Sequence, residues 1–377
     1  MRLSGIKPMW AVALLVFATA TLDGQSLRHR HEQILHHLAA EEWAQAEKAL
    51  VELRQTAPST FTRNSYDYLL ARVNQKLGKT DAARVEYLNV VKRDALVSEY
   101  AYWHLAEIVR AADEFQLERQ YLEKLFSGYP DSLLVDRARW RLAESYWESE
   151  EYQRAIAVYT EIANGRGPRA RAAQLQIARA ELRQGQAFQA RATLEKRLTI
   201  GAPDDVALEA VRLLDEIDTR TGAALSVADH LQRARIYQAN RAFDAARRHY
   251  QWIIDRFADH QNVPEALFAI GRGYYLQDNY DQAIVWYERA HNQFPKTPAG
   301  EQGYYQAGHA QANAGRWLRA LKRYEEFIEA YPESEFLSGA HLNAIDVLRS
   351  AGKTEDALAW CRRTIERFPG SLPATTA

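Results

Sequence analysis

A spacing of 37 residues recurs through the second half of the chain. Phe257, Phe294, Tyr331 and Phe368 lie 37 apart, and Pro295, Pro332 and Pro369 follow the last three. Ala246, Ala283, Ala320 and Ala357 keep the same interval, with Tyr250, Tyr287, Tyr324 and Cys361 four residues further on. A period in the range of roughly 20 to 50 residues marks stacked units that bury their apolar faces against one another. An i, i+4 pair marks one face of a helix, so each unit reads as two antiparallel helices. In the clearest unit, Pro264 opens the first helix at its favoured first turn, and Leu267, Ile270, Gly271 and Tyr274 trace its apolar stripe. A break at Asp278-Asn279 starts the second helix, whose stripe is Tyr280, Ala283, Tyr287 and Ala290. Composition agrees: 18 Gly and 11 Pro leave long stretches rich in helix-forming residues uninterrupted.

Small residues such as Gly271 and Ala283 allow two helix axes to approach to about 8 Å, while aromatic rings fill the space on either side. This pattern resembles the tetratricopeptide repeat, W-x2-L-G-x2-Y followed by A-x3-F and then A and P. Unit starts fall at Leu27, Asn64, Glu99, Asp136, Arg171, Val227, Pro264, Glu301 and Ser338. The crossing-point alanines are then Ala46, Ala83, Ala155, Ala190, Ala246, Ala283, Ala320 and Ala357. The third unit has Glu118 there, so its second helix is expected either to shift in register or to open toward solvent. Gly78, Gly185, Gly315 and Gly352 fall where a residue at positive φ closes the first helix. The resemblance implies an all-α fold, an α-solenoid of about nine helix-turn-helix units wound into a right-handed superhelix. Units lengthened to 37 residues, with a linker such as Pro295-Lys296-Thr297-Pro298, look like the bacterial envelope subtype.

One segment breaks the period. Between the starts at Arg171 and Val227 lie 56 residues, about one helix more than a unit. Val206, Leu208, Val211, Leu214 and Ile217 have the spacing of that extra helix, and Thr219-Arg220-Thr221-Gly222 reads as a turn. The expected organisation is an export signal at 1–20, an N-terminal array at 21–203, an extra helix and joint at 204–222, and a C-terminal array at 223–377. The joint is either a change of pitch or a flexible connection. The last residues, from Pro369 to Ala377, carry no polar capping helix, so the C-terminal array is expected to be uncapped, as in a scaffold capped by its partner or a shortened form of a larger protein.

Arg2 and Lys7 precede the apolar run from Met9 to Ala18, and Ala18-Thr19-Ala20 supplies the small-x-small pattern that signal peptidase reads. Export to the periplasm is the expectation, with an uncleaved N-terminal anchor as the other outcome; no later segment is apolar enough to span a bilayer. Forty-eight basic and 49 acidic residues give a net charge of −1, which supplies no field for nucleic acid. A lone Cys361 closes no intramolecular disulfide and no thiolate zinc site.

The residues do not assemble into an enzyme. His29, His31, His36 and His37 include the spacing HExxxH, one residue too long for two imidazoles to share a helix face as zinc ligands, so neither metal nor cofactor is expected. Glu144-Ser145 resembles the Glu-Ser pair of lytic transglycosylases, yet lies between packing positions Leu142, Ala143 and Tyr146. Gly271-Arg272-Gly273 has no preceding strand and no third glycine at phosphate-loop spacing. Cys361 occupies a packing slot.

Binding suits the architecture better. The resemblance implies an inner wall built from first-helix positions two, five, nine, twelve and thirteen of each unit. Position five gives Tyr68, Trp103, Trp140, Leu175, Leu231, Phe268 and Tyr305, an aromatic-rich stripe. Position nine gives Arg72, Glu107, Glu144, Arg179, Arg235, Arg272 and His309, acidic in the third and fourth units and basic after them. Such a groove is expected to orient an extended ligand through aromatic contact and separated charge, although aromatic residues at these places also serve simply to pack adjacent helices. Two functions follow from the resemblance. One is a non-catalytic periplasmic scaffold, similar to tetratricopeptide proteins that accompany the Tol-Pal system and outer-membrane assembly, which binds a protein segment. The other is the superhelical arm of a soluble lytic transglycosylase acting on peptidoglycan, without its catalytic domain.

Overall fold

A computed structural model describes residues 22–165, 169–198 and 203–369; the export signal expected at 1–20 lies outside them. Every regular element among the described residues is a helix. The chain divides into two compact units between Ala170 and Arg171. The first unit contains α1 (Leu22–Ala39), α2 (Trp43–Thr56), α3 (Pro58–Arg63), α4 (Tyr66–Lys76), α5 (Thr80–Lys92), α6 (Ser98–Arg110), α7 (Phe115–Gly128), α8 (Val135–Glu148) and α9 (Tyr152–Asn164). The second contains α10 (Ala170–Arg183), α11 (Ala187–Leu198), α12 (Asp205–Thr221), α13 (Val227–Ala239), α14 (Phe243–Arg256), α15 (Val263–Tyr275), α16 (Tyr280–Gln293), α17 (Pro298–Asn313), α18 (Trp317–Ala330), α19 (Leu337–Ser350) and α20 (Thr354–Arg367). Setting aside the short α3 and the extra α12, these helices form successive pairs.

The pairs share one local plan. Two residues before each second helix the chain turns through the left-handed region, at Gly78, Gly185, Gly315 and Gly352 as expected, but also at Glu41, Asp113, Glu150, Arg241 and Asp278. A side chain there costs about 1 kcal/mol, an expense the packed helices on both sides overcome. The fourth residue of each second helix is the crossing-point residue, and the alanines there are 0–4% exposed. With no more than a methyl at this point, the neighbouring first helix closes over it, and the tyrosine one turn later fills the adjoining space: Tyr87, Tyr159, Tyr250, Tyr287 and Tyr324 are all buried.

Glu118 corrects one expectation. It is also the fourth residue of its helix, in the same register as its alanine counterparts, and it is fully buried rather than open to solvent. Its Oε1 accepts hydrogen bonds from Arg141 Nε at 2.6 Å and Arg110 Nη1 at 3.4 Å. Two guanidinium groups from the first helices on either side neutralise the carboxylate, so the helix crossing survives the substitution.

Among the described residues of the first unit, one apolar cluster lies around Ile34, Leu50, Leu53 and Leu70 and another around Tyr87, Leu105, Leu122 and Leu125. In the second unit a large cluster joins Leu194 and Leu214 to Leu231, Ile253 and Leu267, and another surrounds Tyr324, Phe327, Ala344 and Trp360, with Cys361 partly buried beside it.

Helix α12 is the additional helix in the second unit. Asp204 caps it by accepting from the Ala207 amide at 2.9 Å, and Gly222 ends it at φ 68°. Its buried face is Ala207, Ala210, Val211, Leu214 and Ile217; Val206 and Leu208, expected on that face, are only partly buried because the face starts one residue later. Alongside this apolar contact runs a polar one. Arg233 of α13, 2% exposed, donates to Asp215 at 2.6 Å and to Asp218 at 2.5 Å, both on α12. Tyr237 also donates to Asp215, and His249 Nε2 lies 3.2 Å from it. His230 and His249 face each other Nδ1 to Nδ1 at 2.8 Å, and His230 stacks on Trp252.

His230 is expected to make stability depend on pH. Burial, followed by the nearby His249 and Arg233 charges, holds the His230 pKa down to about 4, against the opposing pull of Asp215 and Asp229, where an unfolded imidazole titrates near 6.5. Between those values the unfolded chain binds more protons, so stability is fully present above 6.5 and is lost as pH falls toward 4. The denaturation midpoint of the second unit is expected to drop on acidification through this window. His230→Phe, which keeps the stack on Trp252, should flatten the dependence; an unchanged slope would assign it to other groups.

Candidate functional site

The inner-face residues fall into separate groupings. In the first unit, Tyr68, Arg72, Trp103 and Glu107 come together around a residue that spacing did not single out, His104. Trp103 Nε1 donates to Glu107 Oε1 at 2.9 Å, and His104 Nδ1 lies 2.8 Å from Oε2. Nδ1 also lies 3.1 Å from Arg72 Nη1, and Nε2 lies 3.2 Å from the Tyr68 hydroxyl, so both ring nitrogens are engaged. Burial pulls the His104 pKa below its ordinary value in spite of Glu107. Burial pushes Glu107 up, but the hydrogen bonds from His104 and Trp103, with the charge of Arg72, outweigh it and hold the carboxyl below the usual range. Burial raises Tyr68 to about 12. The cluster is thus a neutral imidazole between a phenol and a carboxylate, its donors and acceptors engaged with one another.

The same i, i+4 pairing recurs one unit later, where Trp140 Nε1 donates to Glu144 at 2.7 Å. Each indole face meets an arginine, Arg137 at 4.8 Å from Trp103 and Arg169 at 5.7 Å from Trp140. Trp103 is only 9% exposed. Trp103 of α6, met by Arg137 of α8, therefore packs between successive first helices, while Trp140 is half-buried.

In the second unit, Tyr305 and His309 are also engaged. Tyr305 is stacked on Phe336 with ring centroids 5.1 Å apart, and Asn343 lies 2.9 Å from its hydroxyl and 3.0 Å from His309 Nε2. Leu175 and Leu231 are buried. Arg179 is paired with Glu209 of α12 at 2.6 Å.

Arg235, Phe268 and Arg272 are different, because they line one groove of about 880 Å³ formed by α13, α15 and the start of α17. Phe268 and Arg272, four residues apart on α15, share a helix face. Pro264 and Pro298 add apolar wall, and the buried Tyr250 contributes to the lining. Arg235 is held by a two-point bond to Glu265, Nε to Oε1 at 2.8 Å and Nη2 to Oε2 at 2.7 Å. Arg272 is exposed, and its side chain makes no ion pair or hydrogen bond with any described residue. Arg241, also in the lining, donates to the Leu276 carbonyl at 3.1 Å. With Arg235 and Glu265 cancelling, the groove presents two positive charges beside a half-buried phenyl ring.

Around α1, His37 pairs with Glu42 at 2.6 Å and His31 with Tyr66 at 2.6 Å. Among the described residues no group of three or more His, Cys, Asp or Glu is placed to hold a metal ion, and no helix is long and apolar enough to cross a membrane.

The family model described as tetratricopeptide repeat matches residues 136–206, 231–298 and 305–371. The outer membrane protein assembly factor BamD of Caulobacter vibrioides (strain ATCC 19089 / CIP 103742 / CB 15) is 26% identical over 121 residues, 30% of this chain and 40% of that protein, so the chain spans well under two thirds of this relative. Among solved structures, the MamA protein aligns over 53% of this chain and 93% of its own at 15% identity and a TM-score of 0.35. YrrB, described as a TPR protein with an unusual peptide-binding site, aligns over 59% and 95% at 16% identity and a TM-score of 0.34.

Proposed function

The chain belongs to the tetratricopeptide repeat family, and from that premise we propose that it is a non-catalytic scaffold whose second unit holds an extended segment of another protein in the groove lined by Arg235, Phe268 and Arg272. The observation that carries this reading is that Arg272, exposed and without a side-chain partner among the described residues, shares one groove with Phe268 and Arg235, whereas Trp103 and Tyr305 are buried. An aromatic wall with charged groups at fixed places is the surface that an extended peptide uses for contact and direction. We place the scaffold in the bacterial periplasm. The export-type N-terminus supports this, as does the similarity to a protein named for outer membrane protein assembly.

A photo-crosslinking side chain at Phe268, compared with one at the exposed Val285 on α16, tests the proposal. Adducts to a defined segment of an envelope protein are expected from position 268 alone. Equal yields from both positions would refute the groove. Sedimentation of the chain with insoluble murein, in the absence of protein adducts, would instead support the glycan-binding arm. Phe268→Ala should weaken segment binding by roughly tenfold, the effect of losing one central aromatic contact.

A further inference from the structure

In the second unit, inner-face arginines are matched with a residue 30 positions later, on the next first helix or its equivalent. Arg179 is matched by Glu209 and Arg235 by Glu265, and both pairs form. Arg272 is matched by Gln302, which lines the same groove and carries no charge. The missing partner explains why Arg272 stands alone. Arg241, which lines the same groove, adds a second positive charge and donates to a backbone carbonyl. A guanidinium presents a planar fork of donors that matches a carboxylate, and one left unpaired on a wall with like charge is satisfied best by an incoming anion.

We propose that Arg272 is the acid-reading residue of this groove, and that the segment bound there carries an Asp or Glu side chain within two residues of an apolar one. This rests on the groove reading given above. The distance between the two subsites follows from geometry. Phe268 and Arg272 lie one helical turn apart, about 6 Å along the axis, and same-side residues of an extended chain repeat at nearly that distance, about 6.6 Å. The lining also takes in Arg235 of α13, Arg241 before α14, and Thr297, Pro298 and Gln302 at the start of α17. Because the lining extends to residues of other helices beyond Arg272, we assign the carboxylate to a side chain of a segment running through the groove and not to a C-terminus.

Three short fluorescent peptides and the full-length protein provide the test. The first is amidated and has one Glu flanked by Leu two residues away; the second replaces Glu by Gln; the third keeps the Gln and has a free C-terminal carboxylate. The Glu peptide is expected to bind about tenfold more tightly than the Gln peptide, the size of one charge-assisted bidentate contact. Arg272→Gln should abolish that difference. Gln302→Glu, which completes the pairing already present at Arg235, should abolish it too, with the helical circular dichroism unchanged. Equal affinity for the first two peptides, both weakened by Phe268→Ala, would overturn the acidic preference and leave the groove standing. Preference for the third peptide would overturn the assignment to a side chain. Failure of all three to bind would overturn the groove reading itself.

Discussion

Gly300→Ala is expected to destabilise the second unit by about 3 kcal/mol, at the upper end of overpacking effects, because the added methyl has nowhere to go. An ideal Cβ at Gly300 would stand 2.0 Å from the carbonyl oxygen of Phe294 and 3.2 Å from that of Ala290. These are backbone atoms, so no rotamer change relieves the contact. The Phe294 carbonyl is also pinned in place, accepting from the Thr297 amide at 3.1 Å and the Thr297 hydroxyl at 2.8 Å. That hydroxyl in turn accepts from the Gly300 amide at 3.2 Å and caps α17. Relief requires α17 to move away from the end of α16. Three further residues along, a Cβ at Gly303 would meet the Tyr287 carbonyl at 2.9 Å, so α17 cannot pivot on that side without opening a gap. Urea denaturation followed by helical circular dichroism measures the loss, and hydrogen exchange should place it on α16 and α17. A change below about 1 kcal/mol, the ordinary size of a surface substitution, would mean that the two helices are not in this contact.

Arg233→Met should cost a similar amount, about 3–5 kcal/mol, for an electrostatic reason. Arg233 links α12 to α13, and its removal takes a buried guanidinium away from the carboxylates of Asp215 and Asp218, the latter only 6% exposed. Arg191 still reaches Asp218 at 2.7 Å, and Tyr237 and His249 still reach Asp215, which limits the damage without replacing the charge between them. The methionine fills comparable volume, so the measured loss reports the uncompensated charge and not a cavity. Adding Asp218→Asn to the same chain is expected to recover a good part of the stability, since a neutral amide is far cheaper to bury. Amide exchange on α12 is the sensitive readout: the single variant should expose it and the double variant protect it. If the single variant exchanges like the parent, α12 is held by its apolar face alone.

The helical pairs were legible in the sequence because their requirements are local. A methyl group at the crossing point recurs in all but one unit, and in several an aromatic residue follows one turn later and a proline at the unit boundary, so Ala283, Tyr287 and Pro295 announce the fold. The turns were half legible. Gly78, Gly185, Gly315 and Gly352 reveal a left-handed residue, but Glu41, Asp113, Glu150, Arg241 and Asp278 adopt the same conformation without a glycine to mark it. Glu118 misled, because its acceptability depends on Arg110 and Arg141, which approach from different helices.

The candidate site divides in the same way. The positions that face inward followed from the repeat, and Phe268 and Arg272 were among them. Which of those residues stay open did not follow, because a side chain's partner lies on the next helix. Trp103 is covered by Arg137, Tyr305 is stacked on Phe336, and Arg235 is neutralised by Glu265. The 30-residue offset from Arg272 to Gln302 is present in the sequence, yet it acquires meaning only once Arg179 and Arg235 are seen to pair at that distance. The amino-acid sequence alone settled the all-helical repeat, since periodic burial of small and aromatic residues is a property of each segment. Packing between segments decided where charge is cancelled and where it is left over, because electrostatic pairing depends on distances of a few ångströms between residues that the chain itself keeps far apart.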